Sequence, residues 1–225
     1  HLVSFLEWEA AFSVSDYVNL AAKTIREISG RGNLPILVGG TGLYARSLLR
    51  GFSFEENCRD ESLRQKLFLR AEQEGIEPLY RELQELDPIS AEEIHPHNVK
   101  RVIRALEYCK LAGEPFSRQA ERSQSVVSPY RSLMLCVSFR DREKLYARID
   151  KRVDEMLEKG LLAEAECFYR FCAGQLALPT AAQAIGYKEL FPYFEHKLPL
   201  SEAVENMKRE SRRYAKRQIT WFRRE

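Results

Sequence analysis

The sequence predicts an α/β protein whose core is interrupted by an all-helical insertion. Residues 34–38 are apolar and partly β-branched, and a helical pattern begins a few residues later, which is typical of a strand, a turn and a helix. A second apolar run at 132–139 is bounded by charged residues and predicts another buried strand. A helical pattern at 16–28 precedes the first strand, and this αβα order is typical of a parallel sheet covered by helices.

The part of the chain from 60 to 124 differs from its flanks, because charged amphipathic helices follow one another there without a strand pattern. Asn98 is expected to cap a long helix that ends at Gly113, while Ser15 and Asp141 are expected to cap helices outside this part. We therefore predict three segments. They are a core segment at 1–58, a helical insertion at 59–130, and a second core segment at 131–225 that ends in a basic helix.

A glycine-rich turn follows the first predicted strand, with Gly39 and Gly40 before Thr41 and Gly42 after it. Glycines let the backbone turn sharply with positive φ and with no Cβ in the way. Thr41 would then lie near the first turn of a helix, where free N–H groups and the helix dipole favour an anion. The turn predicts a phosphate near Thr41, although a plain turn in which Thr41 only caps the helix explains it equally well.

Composition indicates an ordinary globular protein, with 44% hydrophobic and 30% charged residues and a net charge of +2. No apolar run approaches the roughly 20 residues that span a bilayer, and no segment resembles a signal peptide. The five cysteines are an odd number without a Cys-x-x-Cys pair, which favours a reducing cytoplasm and argues against a disulfide framework or a zinc site. We also expect a monomer that binds no membrane.

Two rows of cations, each with four-residue spacing, run along the last predicted helix. The rows are Lys208, Arg212 and Lys216, and Arg209, Arg213 and Arg217. Cations in such rows repel one another unless a polyanion or acidic neighbours offset them. The rows therefore indicate either a nucleic-acid surface or a solvated face paired to acids elsewhere, and Trp221 at their end would stack on a base or belong to the core.

A smaller basic set lies on the helix that follows Asn98 and comprises Lys100, Arg101 and Arg104. Such side chains suit phosphate contacts, which position a nucleic acid without reading its sequence. A solvated helix face is the ordinary alternative for a set of this size.

A third basic set is formed by Arg148 and Arg152, which are one helical turn apart. Two guanidinium groups at this spacing suit the binding of a diphosphate. Asp150 and Asp154 are close enough in sequence to pair with them instead, which would make this a routine salt-bridged surface.

Four sequence blocks, taken in order, resemble the tRNA dimethylallyltransferase family. The blocks are GGTGLY at 39–44, KRVIRALE at 100–107, AIGYKE at 184–189 and RRYAKRQITWFR at 212–223. The likeness covers essentially the whole chain. It implies a P-loop-NTPase-like α/β core with a parallel sheet and an all-helical insertion domain. It also implies transfer of a dimethylallyl group from dimethylallyl diphosphate to N6 of the adenine adjacent to the anticodon.

The resemblance also implies site residues. Thr41 would contact the substrate adenosine or the leaving diphosphate, and Arg148 or Arg152 would neutralise the diphosphate. The implied tRNA-binding residues are Gly39, Gly40, Gly42, Arg64, Lys100, Arg101, Val102, Ile103, Arg104, Ala184, Ile185, Gly186, Tyr187, Lys188, Glu189, Arg213, Lys216, Arg217, Gln218, Trp221 and Arg223. They would hold the tRNA anticodon stem-loop, with Mg²⁺ as the implied cofactor.

The sequence contains no G-x-x-x-x-G-K-[ST] motif. By resemblance, the phosphate cradle, the general-base Asp and most Mg²⁺ ligands are expected before His1, so we expect these 225 residues alone to be inactive. Two other functions stay open. A non-catalytic RNA-binding module would explain the basic rows but not the glycine turn, and a nucleotide kinase-like phosphotransferase would bind RNA only weakly and with little dependence on salt.

Overall fold

The computed structural model describes residues 1–51, 60–125, 128–175 and 178–224. They form two compact units, each described here by itself. The discontinuous unit comprises His1–Ala45 and Ser132–Glu225, and the insert unit comprises Arg46–Arg131. The predicted boundary between residues 58 and 59 lies outside the described residues.

Helices dominate all four described ranges and are labelled α1 to α11 in chain order. They are α1 (Val14–Gly30), α2 (Gly42–Leu49), α3 (Glu61–Glu74), α4 (Glu77–Leu86), α5 (Pro88–Glu93), α6 (Val99–Ala112), α7 (Phe116–Ser125), α8 (Arg142–Glu158), α9 (Leu161–Ala173), α10 (Phe191–Phe194) and α11 (Leu200–Phe222). A short 3₁₀-helix, Thr180–Gln183, lies between α9 and α10. In the part of the chain that the structure describes, no helix has the length and apolar character needed to cross a membrane.

The expected parallel sheet is not found, and the prediction of an α/β, P-loop-NTPase-like core is wrong for this structure. The described ranges contain no β-strand, and both predicted strands, 34–38 and 132–139, are irregular. Their side chains are largely solvent-exposed, with 78% of Ile36, 88% of Val38 and 96% of Val137 accessible. Apolar runs show only that a segment favours burial, whereas a strand also requires a second extended segment to complete its backbone hydrogen bonds.

Local capping explains where α1 and α8 begin. Ser13 accepts a hydrogen bond from the Asp16 N–H at 3.3 Å, and Asp16 accepts one from the Ser13 N–H at 2.8 Å, which completes a capping box. The cap predicted at Ser15 is therefore displaced by two residues, because the acid that completes the box lies three residues after Ser13. Asp141 caps α8 as predicted by accepting from the N–H groups of Glu143 and Lys144.

Helices α8, α9 and α11 form the main core of the discontinuous unit. Val153 of α8, Ala165 of α9, and Ala203 and Met207 of α11 pack together with Leu190 and are almost fully buried. This packing fixes the apolar face of α11, so its polar face and its last turns remain at the surface.

Helix α6 is central to the insert unit and packs against α3, α4 and α7. Its apolar face, which includes Val102, Ile103 and Leu106, is fully buried together with Leu79 and Leu83 of α4. Because one face of α6 is held in this core, the basic residues of its first turns are presented on the other side.

Candidate functional site

The glycine-rich turn lies directly against the end of α11. The Gln218 side-chain amide donates a hydrogen bond to the Gly40 carbonyl oxygen at 2.8 Å, across 178 positions of sequence. A Cβ added to Gly40 would lie 1.9 Å from Gln218 Nε2, and one added to Gly42 would lie 2.1 Å from the Trp221 indole. The first and last of the four sequence blocks are therefore parts of one site.

The glycines at 39, 40 and 42 serve this close approach rather than an unusual backbone conformation. None of the three has a positive φ, so the expectation that the turn needs positive φ is wrong. Side chains of α11 occupy the space that a Cβ at Gly40 or Gly42 would need, whereas nothing lies within 4 Å of a Cβ built on Gly39. Gln218 and Trp221, predicted to bind RNA, thus also contact the turn that carries Thr41.

Thr41 stands at the start of α2 and is exposed. Its carbonyl oxygen accepts from the N–H groups of Tyr44 at 3.0 Å and Ala45 at 3.2 Å, which closes the first turn of the helix. Tyr44 stacks on Tyr17 of α1 with 4.7 Å between ring centroids and 23° between planes. Burial raises the pKa of both phenols, so both stay neutral near neutral pH. A phosphate at Thr41 stays a prediction.

The N-terminal part of the cation rows on α11 is paired with acids of α8. Lys208 binds Asp154 at 2.7 Å, and Arg212 binds Asp150 at 2.6 Å. The hydrogen bond from Asp154 raises the pKa of Lys208. For these two cations the interpretation as a face paired to acids is the one that fits.

The C-terminal part of the rows is more open. Arg213 pairs with Glu210 at 2.6 Å on the same helix and stays exposed, with 61% of its side chain accessible. Lys216, Arg217 and Arg223 are exposed, and no ion pair joins them to a carboxylate of the described residues. The last turns of α11 therefore present a surface of excess positive charge, as a polyanion partner requires.

Arg148 and Arg152 are both exposed on α8. Asp150 and Asp154, which were the alternative partners, bind cations of α11 instead. The Arg148 guanidinium lies 5.8 Å from the centroid of the Phe139 ring. Both arginines thus have exposed guanidinium groups one turn apart, in the arrangement that a diphosphate requires.

The block at 184–189 is packed into the discontinuous unit at its centre. Gly186 is buried with φ +111°, and a Cβ there would lie 3.6 Å from Met207 Sδ. Ile185 packs on the same core. Tyr187 donates a hydrogen bond to Glu164, and burial together with that carboxylate raises the pKa of Tyr187 to about 12.

The ends of the same block differ in exposure. Glu189 is buried and accepts a hydrogen bond from the Gly186 N–H at 2.8 Å, which stabilises the loop. Lys188 is exposed and lies 3.6 Å from Glu189, and Ala184 is exposed. Of this block, Ala184 and Lys188 therefore offer the surface on which an RNA contact depends.

In the insert unit, Arg64 and Arg104 converge on one carboxylate, that of Glu107. Glu107 accepts from Arg64 and Arg104 at 2.9 Å each, and from the Asp60 N–H at 3.0 Å. Burial alone would raise the pKa of Glu107, but the hydrogen bonds from the two arginines outweigh it and hold the pKa below its usual value. Glu107 is absent from the predicted site residues, although its place on the apolar side of α6, four residues after Ile103, is a signal in the sequence.

The other basic residues of α6 lie on its accessible face. Lys100 is exposed, and so is Arg101. Val102 and Ile103, predicted among the tRNA-binding residues, are fully buried and so stabilise the helix that carries the cations. Direct contact with RNA from this block is thus limited to its basic residues.

A cavity of about 440 Å³ lies within the insert unit beside these basic residues. Arg101 and Arg104 line it together with Glu93, Glu121 and Phe116. The surface next to the arginines is therefore concave and carries an aromatic ring and charges of both signs.

The donor set for a metal ion was tested on the described residues. They contain no group of three or more His, Cys, Asp or Glu side chains arranged to hold a metal ion. Mg²⁺ commonly takes one or two carboxylates together with substrate phosphates and water. The described side chains do not form a protein cage for Mg²⁺, and no step is derived through it here.

Comparison with known proteins places the chain in a family. A family model described as IPP transferase matches residues 1–225. The tRNA dimethylallyltransferase of Geobacillus kaustophilus is 46% identical over 227 residues, covering 99% of this chain and 69% of that protein. The tRNA dimethylallyltransferase of Halalkalibacterium halodurans is 42% identical, covering 99% of this chain and 70% of that protein.

Solved structures agree. The full-length tRNA isopentenylpyrophosphate transferase of Bacillus halodurans superposes with a TM-score of 0.66 and 41% identity, over 100% of this chain and 68% of that one. A eukaryotic dimethylallyltransferase described as acting on tRNA gives a TM-score of 0.80 and 30% identity, over 96% and 54%. These similarities define a prenyltransferase. The chain belongs to the IPP transferase family.

Proposed function

We propose that this chain transfers a dimethylallyl group from dimethylallyl diphosphate to N6 of the adenine adjacent to the anticodon of tRNA. Relatives named tRNA dimethylallyltransferase support the reaction. The observation that carries the proposal is the contact of Gly40 and Gly42 with Gln218 and Trp221. It brings an anion-type turn and a cationic helix into one site, which suits a reaction between a diphosphate and an RNA.

The chemistry assigns a role to the exposed cations of α8. When the allylic carbon bonds to N6, its bond to the diphosphate oxygen breaks and negative charge develops on the leaving group. Arg148 and Arg152 would stabilise that charge, and Thr41 at the start of α2 would contact the diphosphate or the adenosine. The adenine amine must also lose a proton to a general base, because the neutral amine is a weak nucleophile.

The RNA would be held mainly through its phosphates. Arg213, Lys216, Arg217 and Arg223 provide exposed cations on α11, and the insert unit provides a second basic surface around Arg101. Such contacts position the RNA and are sensitive to salt. The reacting base must leave its stack to reach the allylic carbon, which favours an adenine in a single-stranded loop.

Four further parts of the proposal are coarser. We infer that Mg²⁺ accompanies the diphosphate, that the protein is a monomer, that it works in the cytoplasm, and that it binds no membrane. The cysteines of the described residues are free thiols, which supports a reducing compartment. Light scattering of the purified protein tests the monomer, and titration with EDTA during turnover tests the dependence on Mg²⁺.

The decisive experiment combines an RNA-binding and a transfer assay. The complete gene product is incubated with radiolabelled dimethylallyl diphosphate and an anticodon stem-loop RNA, and label in the RNA is counted. We expect incorporation that disappears when guanine replaces the adenine next to the anticodon. Binding of the RNA without transfer would instead support an RNA-binding module, and transfer of phosphate from ATP would support a kinase-like enzyme.

A further inference from the structure

We infer that Glu107 is a positioning residue for RNA binding, because it fixes the guanidinium groups of Arg64 and Arg104 at the surface of the insert unit. The inference rests on the proposed function, in which these arginines contact tRNA. Glu107 itself is not among the residues to which the resemblance gives a role.

The geometry around Glu107 is that of a clamp. Arg64 approaches with two nitrogens, Nη2 at 2.9 Å and Nε at 3.3 Å from Oε2, and Nη2 also lies 3.1 Å from Oε1. Arg104 donates from Nη1 to Oε2 at 2.9 Å. The Asp60 N–H adds a bond to Oε1, so the carboxylate is itself held by the start of α3. A planar guanidinium held at two nitrogens has little freedom to rotate.

Exposure separates the roles of these residues. The Glu107 side chain is 0% accessible, whereas those of Arg64 and Arg104 are 30% and 29% accessible. An RNA phosphate can therefore reach the arginines but cannot reach the carboxylate. Any effect of Glu107 on RNA affinity must act through the two guanidinium groups.

The charges make the inference sharp. Glu107 with its two arginines carries a net charge of +1, so the trio still attracts phosphate. Replacing Glu107 by Gln raises that charge to +2. If only charge decides RNA affinity, E107Q binds tRNA more tightly. If the arrangement of the arginines decides it, E107Q binds more weakly, because the neutral amide holds two mutually repelling guanidinium groups less firmly.

The test measures binding of a fluorescein-labelled anticodon stem-loop RNA to the 225-residue chain by anisotropy. We expect E107Q to raise Kd by about tenfold, since a charge-assisted hydrogen bond of typical strength corresponds to at least that factor. An unchanged or lower Kd for E107Q would overturn the inference.

Glu82 offers a matched control in the same unit. It also accepts hydrogen bonds from two cations, Arg70 and Lys110, and its pKa is likewise held low by those partners against the opposing effect of burial. E82Q therefore removes a carboxylate with similar partners away from Arg64 and Arg104. We expect E82Q to keep the wild-type Kd, and an equal loss of affinity in E82Q and E107Q would show a general structural effect and overturn the inference.

A second pair of variants keeps the inference testable if E107Q folds poorly, and it separates the inference from the proposed function. Arg64→Lys retains the charge but cannot make the two-nitrogen contact, so it should weaken binding as E107Q does. Arg64→Gln removes the cation altogether. If R64Q and R104Q both bind RNA like the wild type, the proposed RNA surface fails. If they weaken binding while R64K does not, the surface stands and the positioning role of Glu107 fails.

Discussion

Replacing Gly42 by Ala should disturb the site more than the same change at Gly40 or Gly39. A Cβ on Gly42 would lie 2.1 Å from both Cδ1 and Nε1 of Trp221 and 2.6 Å from Cε2. The indole is rigid, so the whole ring or the end of α11 must shift. The Cβ at Gly40 meets the end of the flexible Gln218 side chain, which can rotate away, and the Cβ at Gly39 meets nothing within 4 Å.

These contacts set the expected order of stability. Overpacking against a rigid neighbour costs about 1–3 kcal/mol, which applies to G42A. G40A should lose mainly the hydrogen bond between Gln218 and the Gly40 carbonyl, about 1 kcal/mol. G39A fills open space without left-handed strain and should be neutral or stabilised by about 0.4–1 kcal/mol, because alanine reduces the entropy of the unfolded chain.

Urea unfolding followed by tryptophan fluorescence measures the three variants side by side. Trp221 is one of two tryptophans in the chain, so a displaced indole should also shift the emission of folded G42A. G39A is the control for adding a methyl group to the turn. If the unfolding free energies of G42A and G39A agree within about 0.5 kcal/mol, the usual range for unconstrained surface changes, then Trp221 does not pack on the turn as described.

Three other predictions follow from named contacts. R217Q should reduce the salt dependence of RNA binding by about 0.7–0.9 in the slope of log K against log salt per lost phosphate contact, with little effect on urea unfolding, whereas R212Q, which breaks the ion pair with α8, should lower stability. R152Q should raise the KM for dimethylallyl diphosphate in the complete gene product while Kd for RNA stays unchanged, and the opposite pattern would assign Arg152 to RNA. Finally, the pKa of Asp87 is held below its usual value of 3.8, because hydrogen bonds from Ser90 and Ser117 outweigh the effect of burial. Its stabilising contribution is therefore present above pH 3.8 and is lost as pH falls through the lower folded pKa, so urea titrations from pH 6 to 2 should show a weaker loss of stability for D87N than for the wild type.

Helix ends were predictable where a local signal determines them. Asp141 caps α8 as predicted, and α6 ends at Gly113, whose φ of 68° lies in the left-handed region that favours glycine. Asn98 precedes α6 as predicted, but its side chain makes no capping hydrogen bond. The strands were not predictable in the same way, because a strand depends on a partner segment that the residues of 34–38 do not specify.

The site was predictable as a set of residues but not as a set of roles. The sequence identified Arg64 and Arg104, yet only the structure shows that both bind the buried Glu107. It identified Gln218 and Trp221 as RNA-binding residues, whereas the structure shows them packed on the glycine turn. Side-chain partners between distant segments are not encoded in periodicity or spacing.

The bond between Gln218 and Gly40 has a consequence for the order in which the protein is made. Gly40 leaves the ribosome 178 residues before Gln218 is added. At about 5–20 residues per second, the glycine turn waits for roughly 9–36 s without the helix that packs against it. During that interval the segment beside it, which carries Ile36 and Val38, is accessible on a chain whose turn is still unsupported. Slow translation between these positions should therefore favour aggregation of the nascent protein, whereas the finished chain has the turn held in place.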